Sequence, residues 1–475
     1  MIAKLQPVRI FQTKVVFVLA LLTISLFLSS VIPPFQSPDE FEHITRAYLL
    51  GQGDIVLKAP KGQSSGGMID SGLARYMDAY SGLPFHPNRK LSATEIEAAK
   101  PIQWQDTKEF KPALGMAYYF PGIYVVHALG LKVGEFFKLS IDTSYYLTRY
   151  LLFIVIGLVL YFSFKLYAPS YLTLAFLLIP MSIFQFSSAS LDGIATALAV
   201  FVISAVFYIN NSTKQGSSDI LSSAVPTLPI IRPDYLFYLL TLAYLMLASS
   251  RLQAMAMIFL VGYSAHSLKK TRYLVITLLA AISVFLWQII IINTIVDGRV
   301  ALGASSSHII LFYLQHPIEF LGVLKNTLTN TDILRGYFSS FFGLLGWLDT
   351  PFPGSEYKIL LFFTLAIAGC SIGYSQWRKS RGLNIILCLS ALGSLAAIFL
   401  ALLVTWTPHP ARVIDGVVGR YLLIPALLLS YAFSTNKQNL LPALRYLGLI
   451  FLVGLSAYSL IICYDILLER YYLKI

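Results

Sequence analysis

Long apolar runs with almost no charge recur throughout this chain, and they limit its fold more than any other feature. Each run is about as long as the ~20 residues that a helix needs to cross a bilayer. Only 12% of the 475 residues are charged, against about 25% in soluble proteins, and the mean hydropathy is +0.71. The composition therefore excludes a soluble enzyme and predicts that most of the chain lies in lipid.

These runs predict an all-α polytopic membrane protein with eleven transmembrane helices, because an apolar helix satisfies its own backbone in lipid. Amphipathic surface helices, or two further short spans, are expected within 297–356. Gly115, Pro121 and Gly122 interrupt the segment 113–131, which favours a re-entrant or interfacial helix there, although a crossing stays open. The predicted spans are residues 15–32, 145–167, 171–187, 193–210, 235–249, 252–268, 273–295, 357–376, 383–405, 420–434 and 443–464.

Basic residues predict the orientation of the chain, because connections rich in Lys and Arg stay in the cytoplasm. An uncleaved first span is favoured over a signal peptide, since no small-residue cleavage site follows the run at 15–32. The net charge of +12 is spread over short clusters, so a nucleic-acid surface is not expected. The residues that place the N-terminus and two connections in the cytoplasm are Lys4, Arg9, Lys14, Lys269, Lys270, Arg272, Arg378, Lys379 and Arg381.

Residues 33–115 differ from the rest of the chain, because they hold ten of its 23 acidic residues and many turn-forming residues. This composition predicts one large water-facing loop, which the first span places outside the cytoplasm. The rest of the chain, 116–475, is expected to contain the other spans, with surface helices on the outer face near 297–356. A single membrane domain over 1–475 is therefore predicted.

A short helix is predicted directly after the first span. Ser37 suits its N-cap, and Glu40 would complete a capping box. Asp39 and His43 are four residues apart and share a face, with Arg46 three residues further on. Acids in a first helical turn are also stabilised by the helix dipole, so a structural role for Glu40 stays open. A carboxylate pair at a membrane surface suits a reaction that deprotonates a hydroxyl while a phosphate leaves a sugar carbon.

Three further charged residues lie at predicted span ends, on the outer side when the spans are counted from the basic connections; a crossing at 113–131 would instead place Asp192 inside. Asp192 lies in a polar break between two spans, where an acid is costly unless it is paired or hydrated. Arg251 and Arg420 begin apolar runs on the side where positive residues are less expected, and a guanidinium can bind a phosphate through two parallel hydrogen bonds. A helix cap at Asp192 and snorkelling of both arginines to lipid head groups remain the alternatives.

Together these residues resemble the DUF2142 family of bacterial multi-spanning proteins, which is grouped with the GT-C glycosyltransferases. The matching elements extend over nearly the whole chain, and the first and fifth are fairly specific in this setting. They are Ser37-Pro-Asp-Glu-Phe-Glu-His43, Tyr119-Phe-Pro121, Ser188-Ala-Ser-Leu-Asp192, Arg251-Leu-Gln253, Gly346-Trp-Leu-Asp349 and Gly419-Arg-Tyr-Leu-Leu-Ile-Pro425.

The resemblance implies a GT-C-like bundle of about 11 to 13 transmembrane helices, with a large first outer loop that bears the key acid and short amphipathic helices. It also implies transfer of a sugar from a polyprenyl phosphate. Asp39 looks like the first-loop acid of the family, with Glu40 beside it, and Asp192 looks like the second-loop acid. The residues expected to bind the substrate or its phosphate are His43, Arg46, Arg251, Gln253, Trp347, Asp349, Arg420 and Tyr421.

The predicted activity is that of an inverting glycosyltransferase in a bacterial inner membrane. Its site is expected on the outer face, where no nucleotide sugar is available and the donor has to be lipid-borne. Asp39 would be the general base on a hydroxyl of an envelope glycan or lipid, or a metal ligand if Mg²⁺ or Mn²⁺ takes part. No other cofactor is expected. The alternatives are a transporter or flippase of lipid-linked sugars, and a polysaccharide polymerase or ligase.

Overall fold

The computed structural model describes residues 6–215, 231–299, 301–373, 377–378, 380–435 and 440–473, and of these it describes only the backbone for 6–14 and 215. Lys4 and Lys379, two of the basic residues that predict the orientation, lie outside the described residues, as does the end of the predicted span 357–376. The described chain is mostly helical with very little sheet, which confirms the all-α polytopic fold class.

Nineteen α-helices follow one another along the described residues, together with four short 3₁₀ helices. The α-helices are α1 Gln6–Ser29, α2 Glu40–Gly51, α3 Ser71–Tyr80, α4 Ala93–Ala99, α5 Val125–Phe136, α6 Ile141–Leu166, α7 Tyr171–Leu178, α8 Pro180–Phe186, α9 Leu191–Gln215, α10 Pro233–Ala248, α11 Ile258–Ser267, α12 Thr271–Thr294, α13 Ser306–Gln315, α14 Pro317–Thr329, α15 Thr331–Phe342, α16 Gly354–Ser371, α17 Arg381–Thr405, α18 Leu423–Phe433 and α19 Pro442–Tyr471. The 3₁₀ helices are Met116–Tyr118, Pro121–Tyr124, Leu252–Met257 and Gly419–Leu422.

Two small antiparallel pairings interrupt the helices. Strand β1, Gly66–Asp70, pairs with β2, Lys108–Pro112, so that the middle of the first loop is tied to its end. Strand β3, Leu344–Leu345, pairs with β4, Thr350–Pro351, and closes a tight turn. That turn holds Trp347 and Asp349.

Five helices of the described chain, α6, α9, α12, α17 and α19, are long and apolar enough to cross a membrane. The other six predicted spans coincide with shorter or interrupted helices: α1 from Val15 onward, α7 with α8, α10, a 3₁₀ turn followed by α11, α16, and α18. Pro180 separates α7 from α8, because it lacks the N–H that would continue the helical hydrogen bonds. Helix α5, Val125–Phe136, overlaps the end of the predicted segment 113–131, and the rest of that segment holds two 3₁₀ helices, so the segment is interrupted as Gly115, Pro121 and Gly122 predict.

Charged contacts mark the two ends of the helix bundle. At one end, Lys270 and Arg272 lie 3.4 Å from the carboxylate of Asp234, in the first turn of α10. At the other end, α10 stops at Ala248 and Arg251 follows. The 16 residues of α10 separate these ends by about 24 Å. Arg251 and the basic connection before α12 therefore lie at opposite ends of the bundle.

Helix α2 fixes the first loop against the bundle, since eight of its 12 residues are buried. The ring of Phe35 stacks on Phe41 with centroids 4.8 Å apart, and Trp347 lies 5.8 Å from Phe41. The Trp347 indole N–H also donates to the Phe35 carbonyl at 2.9 Å. The β3–β4 turn thus holds the start of α2 in place and fixes the position of the residues there.

Candidate functional site

Helix α2 begins two residues later than the sequence predicts. Its N-cap is Asp39, and the side chain of Asp39 makes no capping hydrogen bond. Only half of the predicted capping box forms, because the Ser37 N–H donates to Glu40 Oε2 at 2.9 Å while Ser37 Oγ is buried without a partner among the described residues. The prediction of Ser37 as the N-cap is therefore wrong. The physical reason is a turn of the backbone at Asp39, where φ is 61° and ψ is 15°.

The left-handed backbone of Asp39 leaves its carboxylate available for other partners. Aspartate is among the few residue types that adopt this conformation singly, and the conformation costs on the order of 1–2 kcal/mol. Such outliers persist where the surrounding structure imposes them, and they cluster at functional sites. Because the side chain does not cap α2, it points toward neighbouring elements.

Asp39, Arg420, Asp192 and Arg251 form one chain of ion pairs, here called the ion-pair network. Arg420 Nη2 donates to Asp39 Oδ2 at 2.9 Å, and Arg420 Nη1 lies 3.6 Å from Asp192 Oδ2. Arg251 Nη2 donates to Asp192 Oδ1. The fold thus brings together four residues that the sequence predicts separately, and the first pair is 381 positions apart.

The network is assembled from four helix ends. Asp39 precedes α2, Asp192 lies in the first turn of α9, Arg251 follows α10, and Arg420 lies in the 3₁₀ turn before α18. The N-terminal end of a helix carries partial positive charge, which favours both acids in their places. Charges at helix ends also lie closer to water than charges at mid-helix, and they are therefore less costly in a membrane protein.

The network is nearly closed to solvent but not sealed. The exposed fraction of the side chain is 5% for Arg420, 6% for Arg251 and 11% for Asp192, and it rises to 22% for Asp39. The two acids and the two guanidinium groups balance in formal charge. Asp39 is therefore the member of the network that an incoming ligand reaches most readily.

Arg420 keeps one donor that the network does not use. Its Nε is buried without a hydrogen-bond partner among the described residues, whereas its buried Nη1 faces Asp192 Oδ2 at 3.6 Å, beyond hydrogen-bond distance. The ring of Tyr421 lies 5.3 Å from its guanidinium, and the ring of Tyr119 lies 5.2 Å from that of Arg251. The Tyr119 hydroxyl also accepts from Arg251 Nη1 at 3.4 Å. A guanidinium N–H edge that remains open can bind a phosphate.

His43 lies beside the network but bonds to Tyr124. Its Nδ1 is 2.8 Å from the Tyr124 hydroxyl. Burial, and then the positive charge of Arg251, hold the pKa of His43 well below its usual value. The imidazole is therefore neutral at pH 7, and it serves as a hydrogen-bonding partner rather than as a cation for phosphate.

Sequence reasoning missed Glu42 and Arg299. Glu42 lies three residues after Asp39 on the same face of α2, and its Oε2 is buried without a hydrogen-bond partner among the described residues. Burial, and then the charge of Asp39, raise the pKa of Glu42 to about 7, while Arg299 opposes this rise. The i, i+3 spacing could have pointed to Glu42. Nothing local links residue 299 to this helix.

Glu40 belongs to a different cluster, although it is the neighbour of Asp39. Its Oε1 accepts from the Tyr145 hydroxyl at 2.5 Å and from the Ala189 N–H at 2.7 Å. Arg149 Nη2 lies 3.5 Å from the same oxygen and donates to the Tyr145 hydroxyl at 2.5 Å. Both charged side chains are completely buried. This arrangement is that of a structural ion pair, and it gives Glu40 no oxygen to offer to a reaction.

The remaining predicted residues lie outside the network. Arg46 donates to the carbonyls of Asp54 and Ile55 at 2.9 and 2.6 Å, and it thereby fixes the chain after α2. Gln253 lies in the 3₁₀ turn two residues after Arg251 and is half-buried.

Asp349 forms its own ion pair at the β3–β4 turn. Its Oδ2 accepts from Arg470 Nη2 and from the Phe85 N–H, both at 2.9 Å. Arg470 lies in the last turn of α19. Asp349 and Trp347 therefore support the position of the first loop rather than join the ion-pair network.

The residues around Asp39 do not fit a divalent cation. Mg²⁺ takes a near-octahedral set of oxygen ligands, whereas the partner of Asp39 is the guanidinium of Arg420. Among the described residues, no three His, Cys, Asp or Glu side chains lie together as a ligand set. The chemistry of the site is therefore derived from its side chains.

The sequence model of one protein family, described as a predicted membrane protein (DUF2142), matches residues 21–429. The match includes the whole ion-pair network and ends before α19. No curated protein and no solved structure matches the chain.

Proposed function

This chain belongs to the DUF2142 family of predicted membrane proteins, and we propose that it is a membrane-embedded inverting glycosyltransferase that takes a sugar from a polyprenyl phosphate. The observation that carries the proposal is the ion-pair network, in which two acids and two arginines from four helix ends meet at one end of a helix bundle. The GT-C-like architecture is part of the same proposal.

The network supplies the two groups that such a transfer needs. The Asp39 carboxylate takes the proton of an acceptor hydroxyl, whose oxygen then bonds to the anomeric carbon of the donor sugar. The bond from that carbon to the phosphate oxygen breaks, and the polyprenyl phosphate leaves with one additional negative charge. Arg420 and Arg251 stabilise this charge through guanidinium N–H groups, while Asp192 holds both arginines in position.

Arg420 connects the proposed base with the proposed site of the leaving phosphate. Its Nη2 orients Asp39, its Nη1 faces Asp192, and its Nε remains without a hydrogen bond to the described residues. A phosphate that binds there comes within reach of the base. The geometry therefore favours a donor phosphate and an acceptor hydroxyl that meet at Asp39.

The proposed site faces outward from a bacterial inner membrane, with the N-terminus in the cytoplasm. The support is the position of Arg251 at the end of the bundle opposite Lys270 and Arg272, because basic connections stay in the cytoplasm. No nucleotide sugar is available outside, so the donor is lipid-borne and the acceptor is an envelope glycan or lipid.

A labelling experiment tests this orientation. Cysteine replaces the exposed Asp106 of the first loop or, in a second variant, the exposed Lys269, and intact cells are treated with a maleimide that does not cross membranes. The first variant is expected to be labelled in intact cells, and the second only after the membrane is opened. The reverse pattern would place the site in the cytoplasm and would remove the argument for a lipid-borne donor.

The activity itself is tested with membranes that contain the wild type or Asp39→Asn. Undecaprenyl phosphate carrying radiolabelled glucose, galactose, mannose or N-acetylglucosamine is supplied in turn, and label is measured in envelope glycans and lipids. The Asp39→Asn variant is expected to lose at least about a hundredfold in transfer rate, since a general base contributes roughly 10²–10⁴.

The matched control is Asp106→Asn, which removes an exposed acid of the same loop and should transfer at the wild-type rate. Full transfer by Asp39→Asn at equal abundance in the membrane would refute the assignment of the base. Movement of the labelled lipid across the bilayer without transfer would instead support a flippase.

A further inference from the structure

A cavity of about 540 Å³ lies beside the first loop, outside the ion-pair network. Its walls come from residues 59–64, from Leu114, and from the segment that follows α12, Val296 with Gly298 and Arg299. This volume lies within the range of ~300–1,000 Å³ that is typical of small-molecule sites. The function proposed above assigns no role to this cavity.

Hydrogen bonds between two distant segments build the wall of the cavity. The Gly298 N–H donates to Ser64 Oγ at 3.0 Å, and the Ser65 N–H donates to the Val296 carbonyl at 2.8 Å. The Val296 N–H in turn donates to Ser65 Oγ at 3.0 Å. The first loop and the end of α12 are therefore joined into one surface, rather than lying next to each other by chance.

Arg299 connects this cavity to the network. Its guanidinium lines the cavity, and its charge also acts on Asp39 and on Glu42. It is held from two sides, because Nε and Nη2 donate to the Asp297 carboxylate at 3.0 and 2.7 Å and the guanidinium lies 4.7 Å from the ring of Trp406. A ligand in the cavity therefore lies next to a fixed arginine whose charge acts on the proposed base.

The chemistry of the walls favours a sugar over a phosphate. Asp297 already neutralises the charge of Arg299, so the N–H groups that remain suit hydroxyl oxygens better than a dianion. Ser64 and Gln63 add a hydroxyl and an amide, and Pro60 and Val296 add apolar surface for the C–H faces of a ring. These wall segments are loops beyond the helix ends, whereas a lipid-linked donor arrives from the membrane.

We propose that this cavity is the acceptor subsite, and that it holds the terminal one or two sugar units of a carbohydrate whose hydroxyl is directed toward Asp39. The inference rests on the proposed function, because an acceptor presupposes a transfer. The donor phosphate binds at Arg420, and the acceptor sugar binds between residues 59–64 and Arg299.

The cavity is tested by filling it. Gly298→Phe places a ring in the cavity, and the position accepts a side chain because the nearest atom to its Cβ is Ser64 Oγ at 3.4 Å. Gln63→Trp fills the cavity from the opposite wall and serves as the second variant in case the first does not fold. The matched control is Gly354→Phe, at an exposed glycine with no atom within 4 Å of its Cβ and no contact with the cavity.

Binding is measured in nanodiscs by saturation-transfer NMR. The probes are oligosaccharides released by mild acid from the envelope of the native host and fractionated by size. The wild type and Gly354→Phe are expected to bind the same fraction with similar affinity. Gly298→Phe and Gln63→Trp are expected to bind it at least about tenfold more weakly, which corresponds to the loss of one or two good hydrogen bonds.

Kinetics with labelled undecaprenyl-phosphate sugars then separate the two proposals. The filled variants should raise the KM for the oligosaccharide at least about tenfold while they still release sugar from the donor to water. Wild-type affinity and KM in both folded filled variants would overturn the subsite. Weakened binding in the filled variants, combined with no transfer by the wild type, would keep the cavity as a carbohydrate site and overturn the glycosyltransferase.

Discussion

Asp39 and Glu40 are adjacent acids at the start of one helix, yet they belong to two different ion-pair clusters. Glu40 and Arg149 are both completely buried, and the Tyr145 hydroxyl donates to Glu40 and accepts from Arg149 at 2.5 Å. Asp39 is 22% exposed and has a left-handed backbone. Its partner Arg420 retains nitrogens without hydrogen bonds to the described residues.

The difference teaches how to separate a structural ion pair from a reactive one. A buried acid whose oxygens all accept hydrogen bonds can only hold elements together, and Glu40 joins α2 to α6 and to the chain before α9. An acid that is partly open, and whose partner has donors left over, can receive a substrate. Removing Glu40 should therefore affect stability, and altering the network should affect transfer.

The largest effect on stability is expected for Glu40→Gln. The substitution leaves the Arg149 charge buried without a counter-ion, which should lower the free energy of unfolding by about 3–5 kcal/mol. Thermal unfolding of the purified protein measures this loss. The transfer rate per folded molecule should stay within about twofold of the wild type. Unchanged unfolding together with lost transfer would assign the reaction to Glu40 instead of Asp39.

Arg420→Lys tests the role of the ion-pair network in transfer. Lysine keeps the charge but cannot pair with Asp39 and a phosphate through one planar group, so the transfer rate should fall by about 10- to 100-fold. The matched control is Arg470→Lys, which alters a buried arginine that is paired with Asp349, away from the network. An equal loss per folded molecule in both variants would show that the network has no special part in transfer.

The substitution Glu42→Gln should have a smaller effect on the free energy of unfolding, and this effect should depend on pH. The pKa of Glu42 is about 7 in the folded protein against an ordinary value of 4.5, and the folded state therefore binds more protons between these values. The contribution of Glu42 to the free energy of unfolding is fully present below about pH 4.5 and is lost as the pH rises through about 7. Glu42→Gln should thus gain about 2 kcal/mol relative to the wild type between pH 5 and pH 8.

Thermal unfolding of the wild type and of Glu42→Gln between pH 5 and pH 8 measures this gain in stability. Asp106→Asn is the control, and its stability should follow that of the wild type. Burial is the largest cause of the raised pKa of Glu42; among the charged groups, Asp39 and Asp297 raise this pKa and Arg299 lowers it. A gain that grows toward low pH would have the wrong sign for a buried, uncharged Glu42.

The smallest effect is expected from removing divalent cations. Because the carboxylate of Asp39 is already paired with the guanidinium of Arg420, EDTA should change the transfer rate by less than about twofold. The measurement is the assay of the wild type before and after chelation. Loss of activity that Mg²⁺ or Mn²⁺ restores would make Asp39 a metal ligand.

Much of the fold was predictable from local sequence. All eleven apolar runs coincide with helices or helix pairs, although only five of those in the described chain are single helices of full length. The breaks, such as the one at Pro180, shorten elements without removing them. The start of α2 was predicted two residues too early, because the capping pattern at Ser37 and Glu40 carries no information about the left-handed turn at Asp39.

The sequence by itself determined that this chain is a helical membrane protein, and it singled out Asp39, Asp192, Arg251 and Arg420. It could do so because the cost of an unpaired charge or an unsatisfied backbone in lipid is a property of each segment alone. Only the tertiary structure decided that these four residues meet, that Glu40 pairs with Arg149, and that the charge of Arg299 acts on Asp39 and Glu42. Those contacts join positions up to 381 residues apart, and such distances are set by the packing of helices rather than by any local pattern.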